Sequence, residues 1–375
     1  MRIAFLSVFY PYRGGIAQFN ACLHEALGRD DTVQAFNFKR QYPKCLFPGK
    51  TQYVTEQDKA RAVGSIRILD SINPFSWRRT AREILRWEPD LVVFSYWMSF
   101  FAPAFGHVAA RLRRHGVKTV TVVHNAIPHE PNFFDKPLAR WFFRKNDLLL
   151  SMCDAVTADL RSLCPDVRTV QRPHPVYAHF GQKQDKAAAQ RRLGLDPGHR
   201  TLLFFGLIRD YKGLDLLLEA MPLLGSGYQL AVAGESYGSF EKYEALIAAS
   251  GCADRIKVFN HYIADDQVPT FFSAADLCVL PYKSATQSGI TAVALHFEVP
   301  VVATPVGGLA ESIERPGIGR MAREVSAEAL AEAVRAFFET GPETFVSKIR
   351  EVKATHTWEA FAEAVRTFYL PSQKN

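Results

Sequence analysis

The hydrophobic pattern of the first half of the chain alternates between two periods. Short apolar runs at 3–9 and 32–38 have the length and composition of buried strands, whereas 16–29 places its apolar residues at helical spacing. The same pattern predicts helices over 77–87, 107–116 and 138–153 and strands over 91–96, 118–126, 155–158 and 168–173. This alternation predicts an α/β fold with a parallel, doubly wound sheet.

The second half repeats the alternation after a polar, charged stretch at 178–200 that holds one short helical piece. Predicted strands cover 201–206, 228–235, 255–260, 277–282 and 299–304, and predicted helices cover 214–224, 240–251, 268–275 and 288–297. A single core would be unusually large for 375 residues, so two domains are expected. We therefore predict an N-terminal domain over 1–177, a linker over 178–200, a C-terminal domain over 201–355 and a final helical segment over 356–375.

Composition narrows the class of protein. With 48% hydrophobic and 22% charged residues, the chain is typical of a soluble globular protein. The six cysteines contain no C-x-x-C pair, which favours a reducing cytoplasm over a disulfide framework. The N-terminal segment MRIAFLSVFY is interpreted as a first buried strand and not as a secretion signal. The expected location is the cytoplasm, with the inner face of the plasma membrane as an alternative.

Charge is concentrated in the first half. Residues 1–175 carry 25 Lys and Arg against 15 Asp and Glu, a net charge of +10, whereas the remainder carries −3. A basic half fits an anionic membrane surface, an acidic substrate or nucleic acid. Nucleic acid is the least supported of these, because no RNP or zinc-finger pattern accompanies the charge.

The uncharged segment 91–110 is about as long as a membrane span. Polar and helix-interrupting residues, among them Ser95, Pro103 and His107, break its apolar character. A strand, a loop and a helix are therefore favoured over a transmembrane helix.

The segment GLIRDYKG places Gly206 at the end of a predicted strand, Arg209 in the following turn and Lys212 before the next helix. A guanidinium forks onto phosphate oxygens and an ammonium is a compact point charge, so the pair suits a diphosphate. The alternative is an exposed turn with solvated cations.

The segment SATQSG is a second candidate anion-binding element. Thr286 or Ser288 can cap a helix that begins at Gly289, and the glycine allows backbone N–H groups to approach a ligand closely. Capping without a ligand explains these residues equally well.

The first half also has turns at predicted strand ends. Gly14 and Gly15 separate the first strand from the first helix without forming G-x-G-x-x-G, so a nicotinamide or flavin enzyme is weakly supported. His124 and Asn125 end a predicted strand, where ligands usually bind, although a structural role for the histidine is an equal alternative. His174 is interpreted as an anchor where the chain leaves the first domain.

No metal site is expected. The sequence has no Asp-x-Asp pair, no H-E-x-x-H and no cysteine cluster. Fixed cations at Arg209 and Lys212 would take the place of a metal, and no cofactor is predicted.

These residues belong to a wider pattern that resembles glycosyltransferase family 4, whose members have the two-domain GT-B fold. The resemblance extends from Met1 to Tyr369. It rests on the order and spacing of the segments PYRGGIAQF, PDLVVFSYW, VVHNAIPHE, FFGLIRDYKGLDLLLEAM, LAVAGE, AADLCVLPY, VPVVATPVGGLAE and THTWEAFAEAVRTFY. It implies two Rossmann-like domains that face each other across a cleft, the first binding the acceptor and the second the nucleotide sugar.

The resemblance also implies roles for single residues. His124 matches a histidine that contacts the transferred sugar, and Arg209 and Lys212 match the cationic pair on the diphosphate. The arginine stands three residues after Gly206, whereas many members place it directly after the glycine. Further matches are Gly15 beside the donor phosphates, Gly14 and Asn125 on the acceptor side, Glu235 near the base, and a last helix from Trp358 that returns to the first domain.

One departure from the family pattern is that two glutamates found in many members are absent. Their positions hold Ala285 and Val293. Thr286, Gln287, Ser288 and Gly289 resemble a subgroup without the pair, in which hydroxyl, amide and backbone N–H groups hydrogen-bond the sugar and phosphates instead.

The activity that the resemblance implies is transfer of a hexose-type sugar, with retention, from a nucleotide diphosphate sugar, with UDP or GDP as the expected carrier. Two predicted helices, WRRTAREILRW and LARWFFRKN, interleave cations with aromatic residues, as a helix in a membrane interface does. A core-facing aromatic stripe with a solvated cationic face is the alternative. The interfacial interpretation favours a lipid-linked acceptor, as in bacterial surface polysaccharide synthesis.

Two other classes of protein stay open. A sugar-nucleotide epimerase shares the fold, but it would need carboxylates placed for acid–base work in the cleft, and the terminal segment THTWEAF argues against it. A catalytically silent partner that binds nucleotide sugars is compatible with the missing glutamates, although His124, Arg209 and Lys212 argue against it.

Overall fold

The computed structural model describes residues 1–43, 52–54, 62–128, 132–177, 180–285 and 288–367. These residues form two compact units. The first contains residues 1–173 and the segment that begins at Thr357, and the second runs from His174 to His356.

The first unit is built on a parallel sheet with the strand order β3-β2-β1-β4-β5-β6-β7. Its strands are β1 (Arg2–Leu6), β2 (Thr32–Arg40), β3 (Ser65–Asp70), β4 (Leu91–Tyr96), β5 (Lys118–Val123), β6 (Leu148–Ser151) and β7 (Arg168–Gln171). Its helices are α1 (Gly15–Leu27), α2 (Pro74–Arg86), α3 (Ala102–Arg113), α4 (Asp135–Phe143) and α5 (Asp154–Leu163). The strand order reverses between β1 and β4, and such a switch point is where open sheets bind ligands.

The second unit has a parallel sheet of the same type, with the order β10-β9-β8-β11-β12-β13. Its helices are α6 (Lys186–Arg192), α7 (Leu214–Leu224), α8 (Glu241–Ala249), α9 (Val268–Ala274), α10 (Gly289–His296), α11 (Leu309–Ile313), α12 (Ala327–Thr340) and α13 (Pro342–Thr355). Its strands are β8 (Arg200–Phe205), β9 (Tyr228–Ala233), β10 (Ile256–Phe259), β11 (Leu277–Leu280), β12 (Val301–Ala303) and β13 (Gly319–Met321). Its switch point lies between β8 and β11. The predicted α/β fold with parallel sheets is confirmed in both units.

The last described helix, α14 (Trp358–Arg366), packs on α1 within the first unit. Phe19 of α1 contacts the rings of Trp358 and Phe361, with centroid distances of 5.0 and 5.5 Å. Arg366 anchors the other end of α14, because its Nε donates to Asp31 Oδ2 at 2.6 Å. An apolar contact and a largely buried ion pair therefore hold this helix against the first sheet.

Two predicted elements in the first unit are wrong. The segment 138–153 is not one helix, because α4 ends at Phe143 and β6 follows after a short turn. The segment 155–158 lies inside α5 and is not a strand. The run LLLS is buried on both faces of the sheet, and such a strand shows a continuous apolar run that periodicity alone does not separate from a helix.

Two strands have no counterpart in the sequence prediction. The edge strand β3 is largely exposed, so it lacks a long apolar run. The strand β13 has only three residues, Gly-Arg-Met. Both are too short or too polar to produce a period-2 signal.

Residues 180–200 belong to the second unit instead of forming a free linker. The buried side chain of Gln190 in α6 donates to Thr201 Oγ1 at 2.8 Å, and Lys186 pairs with Asp276. These contacts attach the segment to β8 and to the residue before β11. The segment therefore packs on the second unit although its composition is polar.

The uncharged segment 91–110 forms β4, a short 3-10 helix over Ser99–Phe101 and most of α3, as predicted. Of the helices within the described residues, none has both the length and the apolar character needed to cross a bilayer.

Candidate active site

The predicted anion site lies at the carboxyl end of β8 in the second unit. Gly206 adopts a φ of 104°, which favours glycine. A methyl group there would lie 3.2 Å from Lys212 Nζ and 3.3 Å from Ile290 Cδ1. Gly206 is therefore the position where the end of β8, the lysine and the first turn of α10 come together.

The loop after β8 is fixed by the loop after β9. The Ile208 amide donates to the Glu235 carbonyl oxygen at 2.9 Å, and the Tyr237 amide donates to the Ile208 carbonyl oxygen at 3.1 Å. These bonds continue the pairing of the two strands beyond their ends. Arg209 follows directly and therefore starts from a fixed backbone position.

Arg209 is held by an aromatic ring and not by a carboxylate. Its guanidinium carbon lies 4.5 Å from the centroid of the Tyr237 ring, a cation–π contact. Its Nε is buried and has no hydrogen-bond partner in the described part of the chain. A buried N–H without a partner costs about 1–3 kcal/mol, and an anion that accepted from it would remove that cost.

Lys212 ends a 3-10 turn, Asp210–Lys212, that brings its ammonium back under Gly206. The turn requires Gly213, because a methyl group there would lie 1.8 Å from the Pro281 carbonyl oxygen. Burial and the nearby Arg209 guanidinium lower the pKa of Lys212 from 10.5 to about 8. Binding an anion would reverse that shift.

The carboxylates closest in sequence to this pair are engaged with other cations. Asp210 pairs with Lys242, and Asp215 Oδ2 lies 2.5 Å from Lys283 Nζ. Within the described residues, neither Arg209 nor Lys212 forms an ion pair. The site therefore has two closely spaced positive charges and no acidic partner for them, which suits a diphosphate.

The start of α10 differs in part from the prediction. Ser288 stands at the N-cap position before Gly289, but its hydroxyl does not accept a hydrogen bond from the helix. It lies 3.1 Å from the hydroxyl of Tyr282 instead. Thr286 and Gln287 lie outside the described residues. Ser288 therefore takes the predicted N-cap position without bonding to the helix, and among the described residues no side chain caps the first N–H groups of α10.

The positions of the two missing glutamates are apolar and buried. Ala285 is 8% exposed and Val293 is 5% exposed. Neither position supplies a polar group to this end of the sheet.

The candidate residues of the first unit gather at the ends of β1 and β5. His124 follows β5, and its ring packs edge-on against Phe19 of α1 with a centroid distance of 4.7 Å. Gly14, with a φ of 119°, and Gly15 begin α1, and an added methyl group at either would meet no atom within 4 Å. Asn125 is half-buried beside His124. His124 therefore packs on the same helix that begins at the open glycine turn.

His174 lies at the start of the second unit. Its Nδ1 contacts the Pro175 carbonyl oxygen at 2.7 Å. Burial and the nearby His356 lower the pKa of His174 to about 4, although the Pro175 bond opposes this. Within the described residues, no three His, Cys, Asp or Glu side chains form a group that could hold a metal ion.

The aromatic residues of α2 and α4 largely face inwards, as the core-facing alternative expects. Trp77 Nε1 donates to the Asp70 carbonyl oxygen at 2.8 Å. In α4, Phe142 and Phe143 are fully buried. Trp141 lies with its ring against Gly106 of α3, where an added methyl group would come within 2.1 Å of it, but it remains 42% exposed. Phe75 is the exception in α2, since it is 79% exposed.

Tyr237 and Tyr282 are contributors to the site that the sequence analysis did not single out. Tyr237 lies under Arg209, and Lys212 Nζ is 5.5 Å from the centroid of the Tyr282 ring. Tyr237 follows the predicted strand 228–235 by two residues, and Tyr282 is the last residue of the predicted strand 277–282. A position at or just after the end of a predicted strand was the signal that the sequence offered for these tyrosines. Such a position does not by itself indicate which cation a tyrosine contacts.

Two parallel α/β units, with a cationic pair at the switch point of the second, define the GT-B class of fold. A family model described as Glycosyltransferase Family 4 matches residues 14–176, and one described as Glycosyl transferases group 1 matches residues 199–340. Together they account for most of the chain, which belongs to glycosyltransferase family 4.

Two individual relatives match part of the chain at 29% and 31% identity. The chain is 29% identical over 188 residues to D-inositol 3-phosphate glycosyltransferase from Mycolicibacterium gilvum, a match to 49% of this chain and 42% of that protein. It is 31% identical over 169 residues to the lipopolysaccharide core biosynthesis mannosyltransferase LpsB from Rhizobium meliloti, covering 42% and 47%. The matched part thus spans less than half of each relative.

A solved structure supports the fold over nearly the whole length. Sucrose-phosphate synthase from Thermosynechococcus elongatus superposes with a TM-score of 0.76, covering 98% of both chains at 20% identity. At 20% identity, this likeness shows that the two proteins share a fold and supports no statement about activity.

Proposed function

We propose that this protein is a retaining, metal-independent glycosyltransferase. It moves a hexose-type sugar from a nucleoside diphosphate sugar, with UDP or GDP as the carrier, to a glycan or lipid-linked acceptor. The observation that carries this proposal is the cationic pair at Gly206. Among the residues that the structure describes, the buried Nε–H of Arg209 has no partner, and Lys212 is a desolvated cation that no carboxylate pairs with.

The proposed chemistry follows from where charge develops. As the glycosidic C–O bond breaks, negative charge builds on the β-phosphate, and Arg209 and Lys212 stabilise it. The N–H groups at the start of α10 near Gly289, which no side chain of the described residues caps, add a partial positive charge there. The acceptor attacks from the face that the phosphate leaves, and the departing phosphate takes the acceptor's proton.

The family resemblance supplies the remaining roles in this proposal. His124 contacts the transferred sugar, and Gly15 lies beside the donor phosphates. Glu235 lies near the base, where its backbone carbonyl already fixes the loop that carries Arg209. Because Ala285 and Val293 provide no carboxylate, hydroxyl and backbone groups around Ser288 hold the sugar instead.

The acceptor is proposed at the level of class. The net charge of +10 in residues 1–175 favours an acidic acceptor or an anionic surface. The name of one relative refers to lipopolysaccharide core biosynthesis and that of another to D-inositol 3-phosphate. We propose a role in surface polysaccharide synthesis at the cytoplasmic face of the membrane.

A transfer assay tests the proposal. The protein is incubated with labelled UDP- and GDP-hexoses and with glycan and lipid acceptors, and the anomeric configuration of the product is read by NMR. Arg209→Ala should lower turnover by about 100- to 1000-fold, the usual cost of removing one preorganised donor. Lys257→Ala, an exposed lysine on β10, is the matched control and should keep full turnover. A product of inverted configuration would contradict the retaining mechanism.

The buried Ala285 and Val293 favour one alternative, a protein that binds nucleotide sugars without transferring them. This alternative predicts donor binding that depends on Arg209 but no product with any acceptor. Under this alternative, Val293→Glu would also give no turnover.

A further inference from the structure

Two adjoining cavities lie against β2, β3 and α2 in the first unit, and none of their lining residues is among those assigned above. Their volumes are about 460 and 540 Å³, the size of pockets that hold small ligands. Lys39 and Arg79 line both cavities. In the sheet, β1 and β4 stand between β2 and β5, so these cavities are separate from the edge at His124.

The lining is strongly basic. Arg40 lines the first cavity and Arg67 the second, which brings the total to four cations. Asp70 is the one acidic residue among the lining residues of the two cavities, and Arg40 neutralises it with two bonds of 3.1 and 2.6 Å. Three net positive charges therefore face the same space.

The cations that line the cavities differ in whether other groups of the protein hold their side chains. Arg67 is fixed, because its guanidinium donates to the carbonyl oxygens of Phe38 and Lys39 at 3.3 and 3.4 Å. The side chains of Lys39 and Arg79 form no ion pair or hydrogen bond within the described residues. Like charges held this close repel each other, and a bound anion would relieve that repulsion.

We propose that these cavities bind a phosphate ester. Guanidinium groups fork onto phosphate oxygens, and several cations on different elements match the multiple charges of a phosphate better than a single carboxylate. Phe75, 79% exposed, and Ile66, 44% exposed, line the cavities and give the uncharged part of the ligand an apolar contact. The ester is either a soluble phosphorylated compound or the headgroup of a phospholipid. The proposal is independent of the transferase activity.

The test uses two probes and two matched variants of the full chain. Glycerol 3-phosphate is titrated as the soluble ester, and vesicles of phosphatidylglycerol in phosphatidylcholine present the same group as a headgroup. Arg79→Ala removes a lining cation, and Arg82→Ala removes an exposed arginine of the same helix that does not line either cavity. Melting followed by circular dichroism confirms that both variants are folded.

We expect Arg79→Ala to bind at least about fivefold more weakly, since one cation near an anionic surface contributes about that factor, and Arg82→Ala to bind like the wild type. Binding of glycerol 3-phosphate supports the site with a soluble ligand. Binding to the anionic vesicles alone supports it with a lipid headgroup. Equal weakening by the two variants would show diffuse surface attraction and overturn the proposal, and so would the absence of binding to both probes.

Discussion

The lowered pKa of Lys212 predicts that nucleotide binding takes up a proton. With a pKa of about 8, the ammonium is about half protonated in the free protein at pH 8. A bound diphosphate places negative charge beside it and restores a pKa near the ordinary value of 10.5. Binding at pH 8 should therefore take up about 0.5 proton, and binding at pH 7 only about 0.1.

Calorimetric titration of UDP and GDP in two buffers of different ionisation enthalpy measures this number directly. Above pH 8 the dissociation constant should rise, by up to tenfold for each pH unit, because an increasing fraction of the protein must first be protonated. Lys212→Ala should abolish the uptake, and Lys257→Ala should retain it. Tight binding at pH 8 without proton uptake, or uptake that survives in Lys212→Ala, would refute the assigned role of this lysine.

Three further predictions concern stability and the glycine turn. Lys212→Met should stabilise the unliganded protein by about 1 kcal/mol at pH 7. The full shift of the Lys212 pKa is worth about 3.4 kcal/mol, and solvent screens much of it because the residue is partly exposed. The wild type alone should gain stability as pH rises from 8 to 10.5, and no difference in urea unfolding would contradict this. Arg366→Ala should cost about 1.5–3 kcal/mol, because it removes the charge-assisted bond to the buried Asp31, which keeps the N-terminal ammonium of Met1 as a partner. Arg29→Ala, which breaks an exposed pair, should cost under about 1 kcal/mol, and equal losses in urea unfolding would count against the anchor. Gly206→Ala should weaken nucleotide binding, because the added methyl group would displace Lys212. Gly225→Ala, also at positive φ but in open space, should alter only stability. Equal affinities of the two variants in titration would argue against the contact between Gly206 and Lys212.

The alternation of strands and helices could be predicted from the sequence because most strands are short apolar runs bounded by turn residues. The exceptions have physical causes. A strand buried on both faces, β6, has no alternating pattern, and the exposed edge strand β3 has no apolar run. Local periodicity reports burial on one side of an element, so it fails where both sides, or neither, are buried.

The cationic pair was predictable because Arg209 and Lys212 stand in one turn at a strand end. Its surroundings were not, because Tyr237 and Tyr282 come from other loops and meet the cations only in the folded unit. The basic cavities in the first unit depend even more on tertiary structure. Lys39 and Arg79 are 40 residues apart in the sequence, and only the packing of α2 beside β2 and β3 joins them.

The central claim is that Arg209 and Lys212 hold the diphosphate of a nucleotide sugar. A thermal-shift screen of UDP, GDP, ADP and their sugar conjugates against the wild type, Arg209→Ala, Lys212→Ala and Lys257→Ala tests it most directly. A ligand at about 100 times its dissociation constant should stabilise the fold by about 2.7 kcal/mol. We expect one nucleotide diphosphate to stabilise the wild type and Lys257→Ala but neither of the other variants. Equal stabilisation of all four proteins, or of none, would contradict the assignment of this site.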